Sequence, residues 1–557
     1  MVGKVVVALI SLILVAGAVY GIVAGVHKLN HKDDADNLSP QMKLVAAICQ
    51  PTDYKEACQK SLGSVNSTDD PKEFIKAAIL STMDAVKQSF NLSDSLLVQA
   101  NNDTRTKMAL DDCKDLMDFA VDQLQASITT VGDSNMNTLN NRAYDIRNWL
   151  SSVIAYQESC LDGFEDDSPV KIPMHEGMLD ARQLTRNALA IVSELSQILS
   201  VFGLKMNIPS TSRRLLSSDG YPTWFSNADR RLLAMHSNGI VRPNAVVAKD
   251  GSGQFKTISA ALASVPKKSN VRYVIYVKAG IYNEYVTVDK TMTNVFMYGD
   301  GPRKTIVTGH KSYMDGVTTQ DTASFNVLAF GFMAKNMGFS NTAGPERHQA
   351  VALRVSAEQA SFFNCRMDGF QDTLYTQSLR QFYRNCVISG TVDFIFGDAT
   401  VVIQNSLIIV RKPMENQQNT VTAHGRAYRY ETTGLVIQNC RIVPETKLYP
   451  ERFTIPTYLG RPWKEYSRTV IMESTLADFI QPAGWMPWAG NFALDTLEYR
   501  EYANRGPGAN TRSRINWKGY RVITNKREAL QYSVGAFLKG SDWLPRTGGA
   551  YLLGLKY

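Results

Sequence analysis

Five apolar runs in the second half of the chain end alike: Lys335-Asn336-Met337, Phe363-Asn364-Cys365, Arg384-Asn385-Cys386, Gln404-Asn405-Ser406 and Gln438-Asn439-Cys440. The asparagines are 28, 21, 20 and 34 residues apart. The runs themselves, among them Ala360–Asn364, Gln381–Asn385, Thr400–Asn405 and Leu435–Asn439, are short and rich in Val, Ile, Phe and Tyr, as strands are. A strand-and-turn unit cannot bury its apolar side alone, but stacking successive units does so. The spacing predicts a parallel β-solenoid whose asparagines stack inside the turn, whereas a flat sandwich would not need the recurrence. Further strands are expected at Val271–Val277, Asn294–Tyr298 and Ala350–Val355.

In such a fold a step from coil to coil is only the strand spacing, roughly 4.8 Å, so residues one coil apart in sequence meet on one surface. Gln349, Gln371 and Asp393 recur at an interval of 22 residues, with Asp372 beside Gln371. Two amides and two carboxylates are therefore expected in one patch. A carboxylate facing an ester carbonyl can act as nucleophile if a second group protonates the leaving oxygen and amide donors hold the oxyanion. Asp393, taken as an exposed groove residue, Asp372 and the Gln349/Gln371 pair supply those roles. An arginine is wanted to keep the nucleophile ionised while its neighbour keeps a proton. Arg461, in Leu459-Gly460-Arg461-Pro462-Trp463, is the candidate, and Trp463 offers a flat face to a sugar ring.

The first half of the chain follows a different period. From 38 to 205, apolar residues recur at three and four, as in Phe74-Ile75-Ala77-Ala78-Ile79, Leu116-Phe119-Ala120-Leu124 and Leu184 through Leu199, and an all-α up-and-down bundle is the economical packing. Residues 206–244 then lose periodicity and gain Pro, Ser and Gly, which reads as a linker. Within it Arg-Arg-Leu-Leu occurs at 213–216 and again at 230–233, an accessible site for a processing protease. The resulting division is 1–31 leader, 32–207 helical module, 208–243 linker and 244–557 solenoid.

Val5 to Val26 is an uncharged, mostly apolar stretch of 22 residues, long enough to span a bilayer as a signal anchor and equally readable as a signal peptide. Either reading sends the chain along the secretory route, with the membrane engaged only through this segment. Sequons at Asn66, Asn91 and Asn102 fit that address. In an oxidising compartment, Cys49, Cys58, Cys113 and Cys160 are expected to form two local bridges, Cys49–Cys58 and Cys113–Cys160, one of three possible pairings. The three later cysteines form no CxxC pair, which excludes a zinc site of the usual spacing.

Charge divides the chain in the same place. Residues 32–207 carry a net −10 and residues 208–557 a net +16, within a total of +8. Opposite signs favour docking of the two halves, and a basic domain, once freed, suits a polyanion. The secretory address points to an acidic polysaccharide rather than to nucleic acid.

These residues also carry a family resemblance. Gly344-Pro345-Glu346-Arg347-His348-Gln349-Ala350-Val351-Ala352-Leu353-Arg354, Gly369-Phe370-Gln371-Asp372-Thr373-Leu374-Tyr375, Gly390-Thr391-Val392-Asp393-Phe394-Ile395-Phe396-Gly397 and Tyr458-Leu459-Gly460-Arg461-Pro462-Trp463 resemble the signature blocks of plant pectin methylesterases. Residues 38–205 resemble the inhibitor-like pro-region of the longer plant precursors. The resemblance implies a right-handed parallel β-helix and hydrolysis of the C6 methyl ester of polygalacturonan to methanol and free carboxylate, in the cell wall. It implies Asp393 as nucleophile, Asp372 as acid and then base, Gln371 and Gln349 as oxyanion-side donors, and Thr319, Arg461 and Trp463 as substrate contacts. It implies no metal or organic cofactor. The pro-region, a subtilisin-like processing protease and proteinaceous inhibitors are the expected protein partners.

Two departures stand out. Ser406 occupies the place where the family usually has the cysteine that pairs with Cys386, so Cys386 is expected to be unpaired. Gln320 stands where an aromatic is expected near the groove. Other chemistries on the same scaffold fit worse: residues 208–557 contain no adjacent aspartates for a polygalacturonase and no tight acidic cluster for a calcium-dependent lyase. No Gly-x-Ser-x-Gly occurs for a serine esterase. A binding protein with a decayed site would have lost Asp372, Asp393 or Arg461, and all three are present.

Overall fold

The computed structural model describes residues 39–65, 70–100, 103–202 and 242–556. The leader, the linker with both Arg-Arg-Leu-Leu motifs, Asn66 and Asn102 lie outside the described residues, while Asn91 is exposed on a helix.

The first module is helical: α1 Pro40–Ile48, α2 Lys55–Leu62, α3 Pro71–Leu96, α4 Thr104–Asp133, α5 Met136–Asp162, α6 Lys171–Gly177, α7 Leu179–Ser193 and α8 Leu195–Val201. Helices α3, α4, α5 and α7 pack as a closed four-helix ring around Phe74, Ile79, Leu116, Leu150 and Leu189. The starts are written locally. Asp70 accepts from the Lys72 amide with Pro71 in the first turn, Asp103 accepts from Arg105, and Asn135 accepts from Thr138. The run Leu184–Leu199 is broken at Glu194, whose φ of −102° and ψ of 27° leave the helical region, so it forms two helices where one was expected. Disulfides join Cys49 to Cys58 and Cys113 on α4 to Cys160 on α5.

The second module is a right-handed parallel β-helix. Its strands form three parallel sheets of 11, 7 and 8 strands, each coil contributing to the sheets in turn. On the largest sheet Met333 lies opposite a coil-mate one residue past Ala360, and the chain continues Ser361, Phe382, Val402, Val436 in register. Those coil steps equal the asparagine steps. The reason is conformational: Asn336, Asn364, Asn385, Asn405 and Asn439 all hold φ between 50° and 57°, the left-handed turn that asparagine tolerates. Asn364 donates to Asn336 at 2.7 Å and Asn439 to Asn405 at 2.5 Å. The ladder is partial and half-exposed to exposed, not enclosed within the turn as expected.

The coil interior holds one continuous apolar core with Phe325, Phe339, Phe362 and Tyr383 at its centre. Cys365, Cys386 and Cys440 are buried and reduced in the same stack. The Ser406 hydroxyl accepts from the Cys386 amide at 3.1 Å, and the Ser406 amide points at the Cys440 sulfur at 3.3 Å. Burial pushes the Cys440 thiol up to about 12, so it is inert as a nucleophile.

Candidate active site

The seven-stranded sheet forms the floor of a groove. Its outward residues stack in register across the coils: Thr287, Asn326, Arg354, Tyr375, Phe396, Ala423 and Arg461. Tyr375 and Phe396 are parallel, with ring centroids 4.3 Å apart and planes 9° from each other. Trp463 lies against Phe396 at 6.0 Å, and the Arg461 guanidinium sits 4.4 Å above Trp488.

Asp372 and Asp393 stand just ahead of the strands Leu374–Ser378 and Ile395–Gly397, both in the left-handed region at φ 61° and 49°. The unusual backbone turns each carboxyl out of the coil instead of along it, and such conformations cluster where geometry is over-determined. Leu353, Leu374 and Ile395 are in register, so the coil step here is 21 residues and not 22. Asp372 and Asp393 are therefore the directly stacked pair, with Gln371 and Gln349 one residue out of step with each other. The four still meet. Thr319, Gln349, Gln371, Asp372, Asp393, Arg461 and Trp463 all line a single cavity of about 530 Å³.

The two carboxyls live in different surroundings. Arg461 donates from Nε to both oxygens of Asp393 at 2.9 and 3.1 Å and from Nη2 at 2.6 Å, and Thr420 adds a bond of 2.6 Å. That is a charge-assisted clamp suited to the ionised form. Asp372 receives no such clamp. Burial, then the charge of Asp393, push its carboxyl well above the usual range, and the more distant Arg461 only partly opposes them. One carboxyl held in a guanidinium clamp and one whose proton is favoured by burial thus line the same cavity. Asp393 is 5% exposed in the full chain, not the exposed residue the sequence suggested, and the helical module lies over the cavity that it lines.

That cover is built by α4 and α5. Asp112 on α4 accepts from Thr318 at 2.7 Å, and Ser159 on α5 lies 3.2 Å from the Tyr375 hydroxyl. The Tyr156 hydroxyl of α5 takes bonds from Ser356 and Ser378 at 3.3 and 3.0 Å, and Lys464 pairs with Asp162 at 2.6 Å. Farther out, Arg380 pairs with Asp145 and Lys290 with Asp118 and Asp122. Asp112, Ser159, Asp162 and Glu165 also line the cavity itself. The sequence reading missed Thr420, Tyr375, Phe396 and Trp488. Tyr375 and Phe396 had a signal, since both follow the aspartates by three residues. Gln320 is buried beside the cavity and meets Gln377 at 3.5 Å.

Comparisons with known proteins agree with this division. The Pectinesterase family model matches residues 244–541, and the Plant invertase/pectin methylesterase inhibitor model matches residues 43–191. "Probable pectinesterase/pectinesterase inhibitor 21" of Arabidopsis thaliana is 43% identical over 552 residues, covering 98% of this chain and 82% of its own length. "Pectinesterase 1" of Citrus sinensis is 42% identical over 543 residues, covering 96% and 92%. Among solved structures, the pectin methylesterase from carrot is 50% identical with a TM-score of 0.57. It matches 57% of this chain over 99% of its own, so its fold stands without a helical module. The chain described here belongs to the pectinesterase family, with an inhibitor-like helical module joined ahead of the pectinesterase β-helix.

Proposed function

We propose that residues 244–557 hydrolyse the C6 methyl esters of homogalacturonan, the backbone of pectin, and that residues 32–207 hold the enzyme inactive until the linker, 208–243, is cut. The observation that carries the reading is the asymmetry of the two aspartates, one clamped by Arg461 and one without such a clamp, whose carboxyl burial and the charge of Asp393 push well above the usual range. An Asp393 oxygen attacks the ester carbonyl, and the oxyanion is held by the Gln349 and Gln371 amides. Collapse breaks the bond to the methoxy oxygen, which takes the Asp372 proton and leaves as methanol. Asp372, now a carboxylate, takes a proton from water as that water attacks the acyl group, which frees the uronate and restores both aspartates. Trp463 and Thr319 contact the sugar ring. No step calls for a metal or an organic cofactor.

The inhibitory role is supported by the helices in the groove: α4 and α5 put side chains where a polysaccharide would lie. The docked surface pairs basic and acidic groups, in keeping with the net charges of the two halves. A subtilisin-like protease is the processing partner in this reading, the cell wall is the destination, and separate proteinaceous inhibitors would meet the same groove. Methanol release from methylated pectin, measured on residues 244–557 and on the uncut chain, tests both halves. Equal specific activity of the two forms would remove the inhibitory role, and no release from either would remove the esterase.

A further inference from the structure

Arg354 is a buried cation that makes no ion pair among the described residues. It is 6% exposed, and among the described residues its side chain makes one hydrogen bond, Nε to Gln377 Oε1 at 2.8 Å. Among the described residues no carboxylate forms an ion pair with it. Other buried arginines are treated differently: Arg380 pairs with Glu358 and Asp145, Arg426 with Glu498, and Arg514 with Glu501 at 2.8 Å. Leaving a guanidinium underpaired in a dry site is costly, and such a group calls for an anion from elsewhere.

Its position says which anion. Arg354 lies in register with Tyr375, one coil from the Tyr375–Phe396 platform and on the same groove floor as Arg461. The acidic groups that face it are Asp112 and Asp115 on α4 and Asp321 beside the groove, all beyond ion-pair distance. Tyr156 on α5 closes over the neighbouring Ser356 and Ser378. Two of the three acids and the covering tyrosine belong to the helical module. Its departure opens the guanidinium to the groove.

We propose that Arg354 binds the free carboxylate of an already de-esterified galacturonate unit, in a subsite next to the Tyr375–Phe396 platform, so that esters flanked by free acid are preferred substrates. The inference rests on the pectin-ester reading above and adds a subsite to it.

The β-helix has its own core and a carrot relative that stands alone, so residues 244–557 can be tested by themselves. The measurement is kcat/KM on fully methyl-esterified and on half-de-esterified homogalacturonan oligomers, for wild type, Arg354→Gln and Arg354→Lys. The ratio of the half-de-esterified to the fully esterified value should fall about tenfold in Arg354→Gln, the scale of one charge-assisted hydrogen bond, and the change should lie in KM. Arg354→Lys should lower it about threefold, since the charge stays but the planar fork is lost. An unchanged ratio overturns the subsite, whether both rates fall together, as a role through Gln377 requires, or neither falls. If Arg354→Gln does not unfold cooperatively, the Arg354→Lys ratio decides by the same criterion. Wild type releasing methanol from neither substrate overturns the esterase reading itself.

Discussion

Arg461 grips both carboxylate oxygens of Asp393, with Nη2 at 2.6 Å from Oδ2 and Nε at 2.9 Å from Oδ1, although 68 residues separate them. The two sit on coils brought together by the strand order of the groove sheet, in which Thr457–Pro462 follows Asn419–His424 and Ile395–Gly397. The pairing gives one aspartate a charge-assisted clamp, while burial and the charge of Asp393 push the carboxyl of its neighbour Asp372 well above the usual range.

Removing Asp393, the proposed nucleophile, should abolish turnover. In residues 244–557, Asp393→Ala and Asp393→Asn should each lower kcat at least a hundredfold, about 2.7 kcal/mol of transition-state stabilisation. Asp393→Asn should unfold nearer to wild type, because the amide can still meet Thr420, whereas Asp393→Ala leaves Arg461 unpaired. Activity above a hundredth of wild type would sink the assignment.

The acid should set the alkaline limit. In the proposed mechanism Asp372 gives a proton to the departing methanol, and its carboxyl is held well above the ordinary range by burial and by Asp393. The kcat profile should therefore fall as pH rises through that raised value. Arg461→Gln should move this limb upward, since the guanidinium is the group that opposes the shift. A limb that stays put in Arg461→Gln would show that Asp372 is not the titrating acid.

Docking of the helical module should weaken as pH rises. Asp112 meets Thr318 and Gln320, faces Asp321 and Arg354, and is pushed up to about 7, chiefly by burial and then by Asp321. A carboxyl raised in the docked state favours docking fully below its free value near 3.8, and the advantage is lost as pH climbs toward 7. With the linker cut, the dissociation constant of the two parts should rise by up to about tenfold per pH unit in that window. Asp112→Asn should flatten the dependence, and a slope identical to wild type by titration calorimetry would reject it.

A cysteine at Ser406 should close a bridge. Ser406 lies between Cys386 and Cys440 in the interior stack, so Ser406→Cys can pair with either neighbour. A loop of about 20 residues is worth about 3 kcal/mol and one of about 34 residues roughly 4 kcal/mol in the chain-entropy model. Thermal midpoints should be higher under oxidising than reducing conditions; coincident midpoints with the thiols consumed would indicate a strained bridge.

Processing should tolerate loss of one linker motif. Changing Arg213 and Arg214 alone should leave cleavage largely intact, whereas changing Arg230 and Arg231 as well should retain the full-length precursor. Normal processing of the quadruple variant would show that neither Arg-Arg-Leu-Leu is the signal.

The sequence by itself determined the solenoid, its coil lengths and the division into two modules. A left-handed turn residue must recur once per coil, so Asn336, Asn364, Asn385, Asn405 and Asn439 count the coils directly. Local capping at Asp70, Asp103 and Asn135 likewise marks helix starts without help from the rest of the chain. The tertiary structure alone decided what depends on distance through space. The interval of 22 residues between Gln349, Gln371 and Asp393 mixes a coil of 21 with a shift of one, and only strand pairing shows that Asp372 and Asp393 are the stacked pair. Which aspartate is clamped depends on Arg461, two coils beyond Asp393, and what closes the groove over both depends on α4 and α5, more than 200 residues upstream. Desolvation and ion pairing act over a few ångströms whatever the sequence separation, so neither the raised carboxyl of Asp372 nor the underpaired charge on Arg354 could be read along the chain.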